Sequence, residues 1–337
     1  MDRKDQKYGK FHLVNEMFDT VDVIRNFKAE RVSEAFKVQK DSRIMLTGEG
    51  SSRIFPARNI IHHRLMIGKG PELLTEGSLQ LEEYPLGNHI VIGASNSGKT
   101  KEIIDLFSFL TQKAHHPLYG VTCHDHTPLV RLSDSSIVLE NCSEKAVAAT
   151  KSVIAQALVY ECMLQNLIGY EFSLGKLAQS FESILNQKVS AEITSSLVKA
   201  GMVYYAGNNT GAAEELSLKT CEIIRKKSSF LPGTFLLHGI EEVVTSGDVM
   251  VLVDPLESEY DKIYEIYVKK IGCTVIAFTG KPSPFLNLPL PAHETFYDGY
   301  LKLAAGWNMM VEAGIELGIE LDKTQRARKI GNETSLT

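Results

Sequence analysis

Short β-branched runs, each followed by a stretch of helical periodicity, recur along the chain. Residues 43–47 (RIMLT) form the first, followed by Gly48-Glu49-Gly50-Ser51-Ser52 and a helical pattern to about Leu65. His89–Ala94 (HIVIGA) leads into SNSGKT and a helix with apolar Ile103, Ile104, Leu106, Phe107 and Leu110. LYGVT at 118–122 and SIVLE at 136–140 come next, then a long helix from Glu144 to Leu167. After 168–200 the cycle restarts. MVYYA at 202–206 reads as a strand, Gly207-Asn208-Asn209-Thr210-Gly211 as a turn and 212–227 as a helix. Strands at 249–253 and 274–278 flank a helix at 258–271, and a last helix runs from Thr295 to Leu317. Alternation of this kind predicts an α/β fold with parallel sheets covered by helices on both faces. Two such halves suggest a duplication at the level of the fold. The pattern divides the chain into an N-terminal helical arm docked on the outside (1–35), a first domain (36–190), a second domain (191–318) and a polar, basic tail (319–337).

Composition narrows the class. The chain has 337 residues, 44% hydrophobic and 23% charged, with ample material for two cores. Lys and Arg number 36 against 41 Asp and Glu, a net charge of −5. Nucleic-acid binding needs a basic surplus or stripe, so nucleic acid is not the expected partner. No apolar run approaches the roughly 18 residues of a membrane helix, and the charged start MDRKDQKYGKFHLV lacks a signal-peptide core. The five cysteines (Cys123, Cys142, Cys162, Cys221, Cys273) are odd in number and widely spaced. They read as reduced thiols of a cytoplasmic protein.

Gly93-Ala94-Ser95-Asn96-Ser97-Gly98-Lys99-Thr100 satisfies G-x-x-x-x-G-K-[ST] between a strand and a helix. Backbone N–H groups at such a helix start attract phosphate and the lysine neutralises it. With Asp254 after VMVLV as a Walker B acid, the motif reads as a nucleotide hydrolase. Three features favour a different phosphate ligand. A strand–glycine–serine unit precedes the motif, Asp254 lies about 150 residues downstream in the second domain, and Ser95, Ser97 and Thr100 put hydroxyls where a P-loop needs only backbone. A structural helix start capped by Ser95 or Ser97 is the plain alternative.

Other side chains carry two readings each. Glu215, Lys219 and Glu222 fall at roughly 0°, 40° and −20° on a helix, one narrow face. They form either a solvated salt-bridge stripe or, with Leu216, Leu218 and Ile223 beside them, a half-buried cluster in which lysine keeps a carboxylate ionised as a base. His238, in LLHGI, is a hydrogen-bonded core histidine or a proton-transfer group. Lys329, in ARKIGN, is a solvated tail residue or an amine that meets a sugar carbonyl. Cys123-His124-Asp125-His126 has metal-ligand residue types, but no further ligand pair closes a site, so a polar loop is expected.

Five segments in order resemble the double sugar isomerase (SIS) domain family, which includes the isomerase half of glucosamine-6-phosphate synthase and related phosphosugar isomerases and deglycases. They are Gly48–Ser52, the S-x-S-G-x-T loop Ser95–Thr100, the E-x-x-V-A-[ST]-T-K stretch Glu144–Lys151, the Glu215-Lys219-Glu222 helix with His238-Gly239 following, and Lys329 seven residues after Asp322. Asn96 stands where the family often has Gln, Lys99 where an acid is common, and Thr324 where a proline is usual. With no cysteine near Met1, the resemblance does not extend to ammonia drawn from glutamine.

The resemblance implies two tandem SIS domains and a homodimer with a shared active site. No cofactor and no metal are implied. Ser95, Asn96, Ser97 and Thr100 would hold the phosphate, with Ser52, Val147 and Ala148 at the sugar. Glu222 would move a proton between C1 and C2, aided by Glu215 and Lys219. His238, given to the partner's site, would open the ring, and Lys329 would meet the open chain. The expected activity is a phosphosugar isomerase acting on a hexose or aminosugar 6-phosphate, with or without deamination. A fructosamine-6-phosphate deglycase uses the same chemistry. A non-catalytic sugar-phosphate-binding regulator is the alternative of another class, and a P-loop nucleotide hydrolase the distant one.

Overall fold

A computed structural model describes residues 1–328 and 331–334. The chain forms two compact units, one of Asp19–Ala178 with the described tail from Gln325 onward, the other of Met1–Phe18 with Gln179–Thr324.

The first unit holds strands β1 (Arg43–Gly48), β2 (Glu72–Glu76), β3 (Ile90–Ala94), β4 (Leu118–Thr122) and β5 (Ser135–Val138). They lie in the order β2-β1-β3-β4-β5, every pair parallel. Side chains alternate across a strand, and both faces are buried here, as an all-parallel sheet requires. Ile44, Leu46 and Ile92 pack with Ala57, Ile60, Ala155 and Val159 on one face. Met45, Val91 and Leu118 pack with Ile103, Leu106, Phe107 and Leu110 on the other.

The second unit holds β6 (Met202–Gly207), β7 (Lys227–Pro232), β8 (Val249–Leu252), β9 (Thr274–Phe278) and β10 (Leu286–Leu288). Their order is β10-β9-β8-β6-β7, again parallel throughout. Read in chain order within each sheet, both are 2-1-3-4-5. The two halves are thus one doubly wound topology used twice.

The alternating pattern located every interior strand and missed β2, β7 and β10. All three are edge strands, where burial on both faces lapses; β7 is largely half-buried or exposed along its length. Two of the helices that differ from expectation bear on the site. The long helix begins at Lys151, not Glu144, and ends at Ile168. The expected 212–227 helix is α-helical over Ala212–Lys219, turns π-helical over Thr220–Ile224, and gives way to β7 at Lys227. Residues 1–35 divide between the two units. Met1–Phe18 belongs to the second unit and the remainder to the first, and Leu13, Val14, Met17 and Ile24 are fully buried.

Candidate active site

In an open α/β sheet of this order, ligands collect at the carboxyl ends of the first and third strands, where the winding reverses. In the first unit these ends are Gly48 of β1 and Ala94 of β3, paired in register. Gly48 has no room for a side chain, because a Cβ would stand 2.8 Å from the Ala94 carbonyl. The Gly48–Ser52 turn and the Ser95–Thr100 loop therefore leave the sheet side by side. Ser52 closes a short 3-10 turn and is half-buried.

The Ser95–Thr100 loop is tied down from within and below. Ser95 Oγ lies 2.8 Å from Thr100 Oγ1 and accepts from the Gly98 N–H at 3.1 Å. Ser97 Oγ accepts from Lys99 N at 3.2 Å. The Asn96 carbonyl takes Cys123 N and Thr122 Oγ1 at 3.0 and 3.1 Å. Gly98, at φ +65°, packs on Thr127 where any side chain would clash. Among the described residues no acceptor takes the N–H groups of Asn96, Ser97 or Thr100. Three hydroxyls and three free N–H groups on a fixed loop at a helix start are the makings of an anion site.

Glu144, expected inside a helix, lies before one and caps it. Its buried carboxylate accepts from Thr150 N at 2.7 Å, Ser152 N at 3.4 Å and Ser152 Oγ at 2.6 Å. Asn96 Nδ2 donates to the same carboxylate and to Ser152 Oγ, both at 3.2 Å. Glu144 thus fixes the loop's amide side chain, a role the residue pattern did not reveal. Val147 is half-buried and Ala148 buried in the loop between. The tail also reaches this loop. Lys101 N donates to the Asn332 carbonyl and Thr334 N to that of Lys99, each at 3.0 Å, and Glu333 lies 3.6 Å from the Lys99 ammonium. Lys329 lies outside the described residues.

In the second unit the structure brings Glu215, Lys219 and Glu222 into one ion cluster. Lys219 Nζ stands 3.3 Å from Glu215 Oε1 and 2.6 Å from Glu222 Oε2. Lys219 and Glu215 are fully buried, while Glu222 keeps 29% of its side-chain surface. Burial by itself would lower the lysine's pKa. The Glu222 and Glu215 charges and their hydrogen bonds outweigh it, so the ammonium is held above its usual range. The stripe is therefore no solvated surface feature. The π turn begins one residue after Lys219, and such turns are frequent at functional sites. His238 does not lie in the apolar core its neighbours suggested. It caps a 3-10 turn (Phe235–Leu237), is exposed, and precedes Gly239 at φ +99°.

Asp254, the Walker B candidate, follows β8 in the other sheet from the Ser95–Thr100 loop and is already held by Lys302 and the Asn208 N–H. Cys123 is buried behind that loop, with His124 and Asp125 exposed.

Residues 37–165 match the family model described as the SIS domain. The first unit is therefore a SIS domain. The matched span holds the first sheet, and the second repeats its order, giving two tandem SIS-type units. Solved structures share the fold over nearly the whole chain. Glucosamine-6-phosphate deaminase from Thermotoga maritima is 16% identical, covers 96% of this chain and 99% of its own, and superposes with a TM-score of 0.75. The C-terminal domain of glucosamine-fructose-6-phosphate aminotransferase from Francisella tularensis gives 16%, 96%, 100% and 0.75. Tagatose-6-phosphate ketose/aldose isomerase from Escherichia coli gives 17%, 96%, 96% and 0.77. No curated protein sequence matches the chain. Among the described residues, no helix is long and apolar enough to cross a membrane.

Proposed function

We propose that this protein is a phosphosugar isomerase acting on a hexose or aminosugar 6-phosphate. The observation that carries the reading is the buried Lys219 between Glu215 and a partly exposed Glu222. A binding module has no need to bury a lysine and a glutamate to hold one accessible carboxylate in a fixed place. A proton-transfer enzyme does.

In this reading the phosphate takes the hydroxyls of Ser95, Ser97 and Thr100 and the N–H groups of Asn96, Ser97 and Thr100. Ser52, Val147 and Ala148 face the sugar. Glu222 removes the C2 proton of the open-chain aldose while O1 gains a proton from solvent, giving an enediol, and it returns the proton to C1 as the O2 hydroxyl gives its proton to solvent, forming the ketose. An aminosugar follows the same course through an enamine, with ammonia released by water. Lys219 holds the Glu222 carboxylate in place through their ion pair, and Glu215 orients Lys219. The exposed His238 of one subunit serves ring opening at its partner's site in a homodimer, and Lys329 meets the open chain. The similarity to structures described as a phosphosugar deaminase and a phosphosugar isomerase supports the substrate class.

Exchange in D₂O tests the reading. Wild-type protein incubated with hexose 6-phosphates, glucosamine 6-phosphate or a fructosamine 6-phosphate should place deuterium at C1 or C2 of recovered sugar. Release of ammonia or of the amino acid identifies a deaminase or deglycase. Stabilisation by a sugar phosphate without exchange would make the protein a sugar-phosphate-binding regulator, and Mg·ATP turnover lost in Lys99→Ala would restore the nucleotide reading.

A further inference from the structure

The two sheets place different chemistry at one topological position. In the first, Ala94 pairs with Gly48 and Ser95 follows. In the second, Leu252 pairs with Ala206, so Val253 falls beside Gly207 and Asp254 follows. Asp254 thus stands where the first sheet has Ser95, at a switch point of its own.

Its carboxylate is fully engaged. Asp254 Oδ2 accepts from the Asn208 N–H at 2.7 Å. It lies so close to Gly207 that a Cβ there would come within 2.6 Å of it. Oδ1 is ion-paired to Lys302, only 5% exposed, which also pairs with Asp298. A backbone N–H, a lysine and a close glycine around a negative charge compose a small anion site. Here the anion is part of the chain.

What this site holds is the start of the helix bearing the ion cluster. The Gly207–Gly211 loop runs from Asp254's partner Asn208 to Gly211, whose carbonyl accepts from Glu215 N at 2.9 Å. Lys302 begins a stripe at i, i+4, i+8 and i+12 of the helix Asp298–Glu316, and the stripe follows the cluster helix along its length. Gly306 is pressed on Leu216, Met310 Sδ lies 3.9 Å from Thr220 Oγ1, and Gly314 faces Ile224 and the Ile223 carbonyl beside the π turn.

We propose that Asp254, neutralised by Lys302, is a built-in anion and a positioning residue, which fixes the helix of Glu215, Lys219 and Glu222 and closes the second switch point to phosphate. The kinetic consequence rests on the isomerase reading; the binding consequence does not.

Formate tests both. Asp254→Ala removes a carboxylate that formate replaces. Its Tm should fall by roughly 5–15 °C, and formate should recover most of the loss while chloride at equal ionic strength does not. The Asp254→Ala/Lys302→Met double variant should not respond to formate. Turnover of sugar phosphate should fall about tenfold or more with KM within about threefold, and formate should restore kcat. Should Asp254→Ala fail to fold even in formate, the isosteric Asp254→Asn decides, with kcat and Tm both lowered. The proposal is overturned if formate and chloride act alike on Asp254→Ala, or if Asp254→Asn equals wild type in Tm and kcat. A wild type without turnover sinks the isomerase reading alone, since formate-specific stabilisation is measured without substrate.

Discussion

The two switch points begin from the same strand order and end in opposite states. At the first, Ser95, Ser97 and Thr100 offer hydroxyls and three N–H groups that no acceptor in the described chain takes. At the second, Asp254 meets the Asn208 N–H and Lys302 answers its charge. A fold position suited to anions presents donor groups in one unit and a carboxylate of the chain itself in the other. The lesson is that topology marks where an anion sits, while one side chain decides whether it comes from solvent.

The largest effect expected comes from the residue proposed as the base of the second unit. Glu222→Gln keeps size and hydrogen bonding but removes the carboxylate proposed to move the proton, so turnover should fall about 10²–10⁴-fold. Sugar-phosphate binding, read by thermal shift, should persist. Wild-type exchange rates in this variant would reduce the Lys219 cluster to a structural ion network. The matching change in the first unit acts on binding. Ser97→Ala should raise KM for the sugar phosphate about tenfold or more, the loss of one hydrogen bond to a charged group, with kcat little changed. Inorganic phosphate should stabilise wild type more than this variant. Equal stabilisation of the two would place the anion elsewhere.

A double-mutant cycle probes the contact that fills the second switch point. Gly207→Ala drives a methyl into the Asp254 carboxylate and should cost about 1–3 kcal/mol by urea unfolding. In the Asp254→Ala background the carboxylate is gone and most of that cost should vanish, a coupling of about 1 kcal/mol or more. Additive costs would show that the glycine is required for another reason.

Much of this comparison could be read before the structure. Interior strands such as HIVIGA and VMVLV are apolar on both faces, and the loops after them carry compact motifs. Three of the four edge strands escaped; KSSFLP and LNL, for example, lack that pattern. The Glu144–Thr150 stretch read as helix because Ala146, Val147, Ala148 and Ala149 continue the apolar run. In fact the Glu144 carboxylate folds forward onto Thr150 N and Ser152 N, and Lys151 begins the helix. The spacing of Glu215, Lys219 and Glu222 pointed to one face, but neither their burial nor the π turn is a local property of sequence. Asp254 and Lys302 lie 48 residues apart; no periodicity joins them, and only the packing of the last helix on the sheet does.

The smallest effect lies at the outer end of the charged chain in the second unit, which has no counterpart among the hydroxyls of the first. His293 Nε2 lies 3.0 Å from Asp298 Oδ1, and Asp298 also pairs with Lys302. The hydrogen bond to Asp298 raises the His293 pKa above its ordinary 6.5, against the opposing effect of burial. Burial pushes Asp298 upward, yet His293 and Lys302 together hold it below 3.8. The signs follow from linkage. Histidine's contribution is fully present below about pH 6.5 and fades as pH rises through its higher folded pKa. The aspartate's is present above about pH 3.8 and fades as pH falls through its lower one. The pair therefore stabilises most in the mildly acidic window between. His293→Asn should lower stability there by about 0.5–1 kcal/mol, discounted because Asp298 is 36% exposed. The difference from wild type should shrink on the alkaline side. Tm curves from pH 5 to 9 that stay parallel for the two proteins would show that His293 carries no charge in the fold, leaving Lys302 as the only cation answering Asp298.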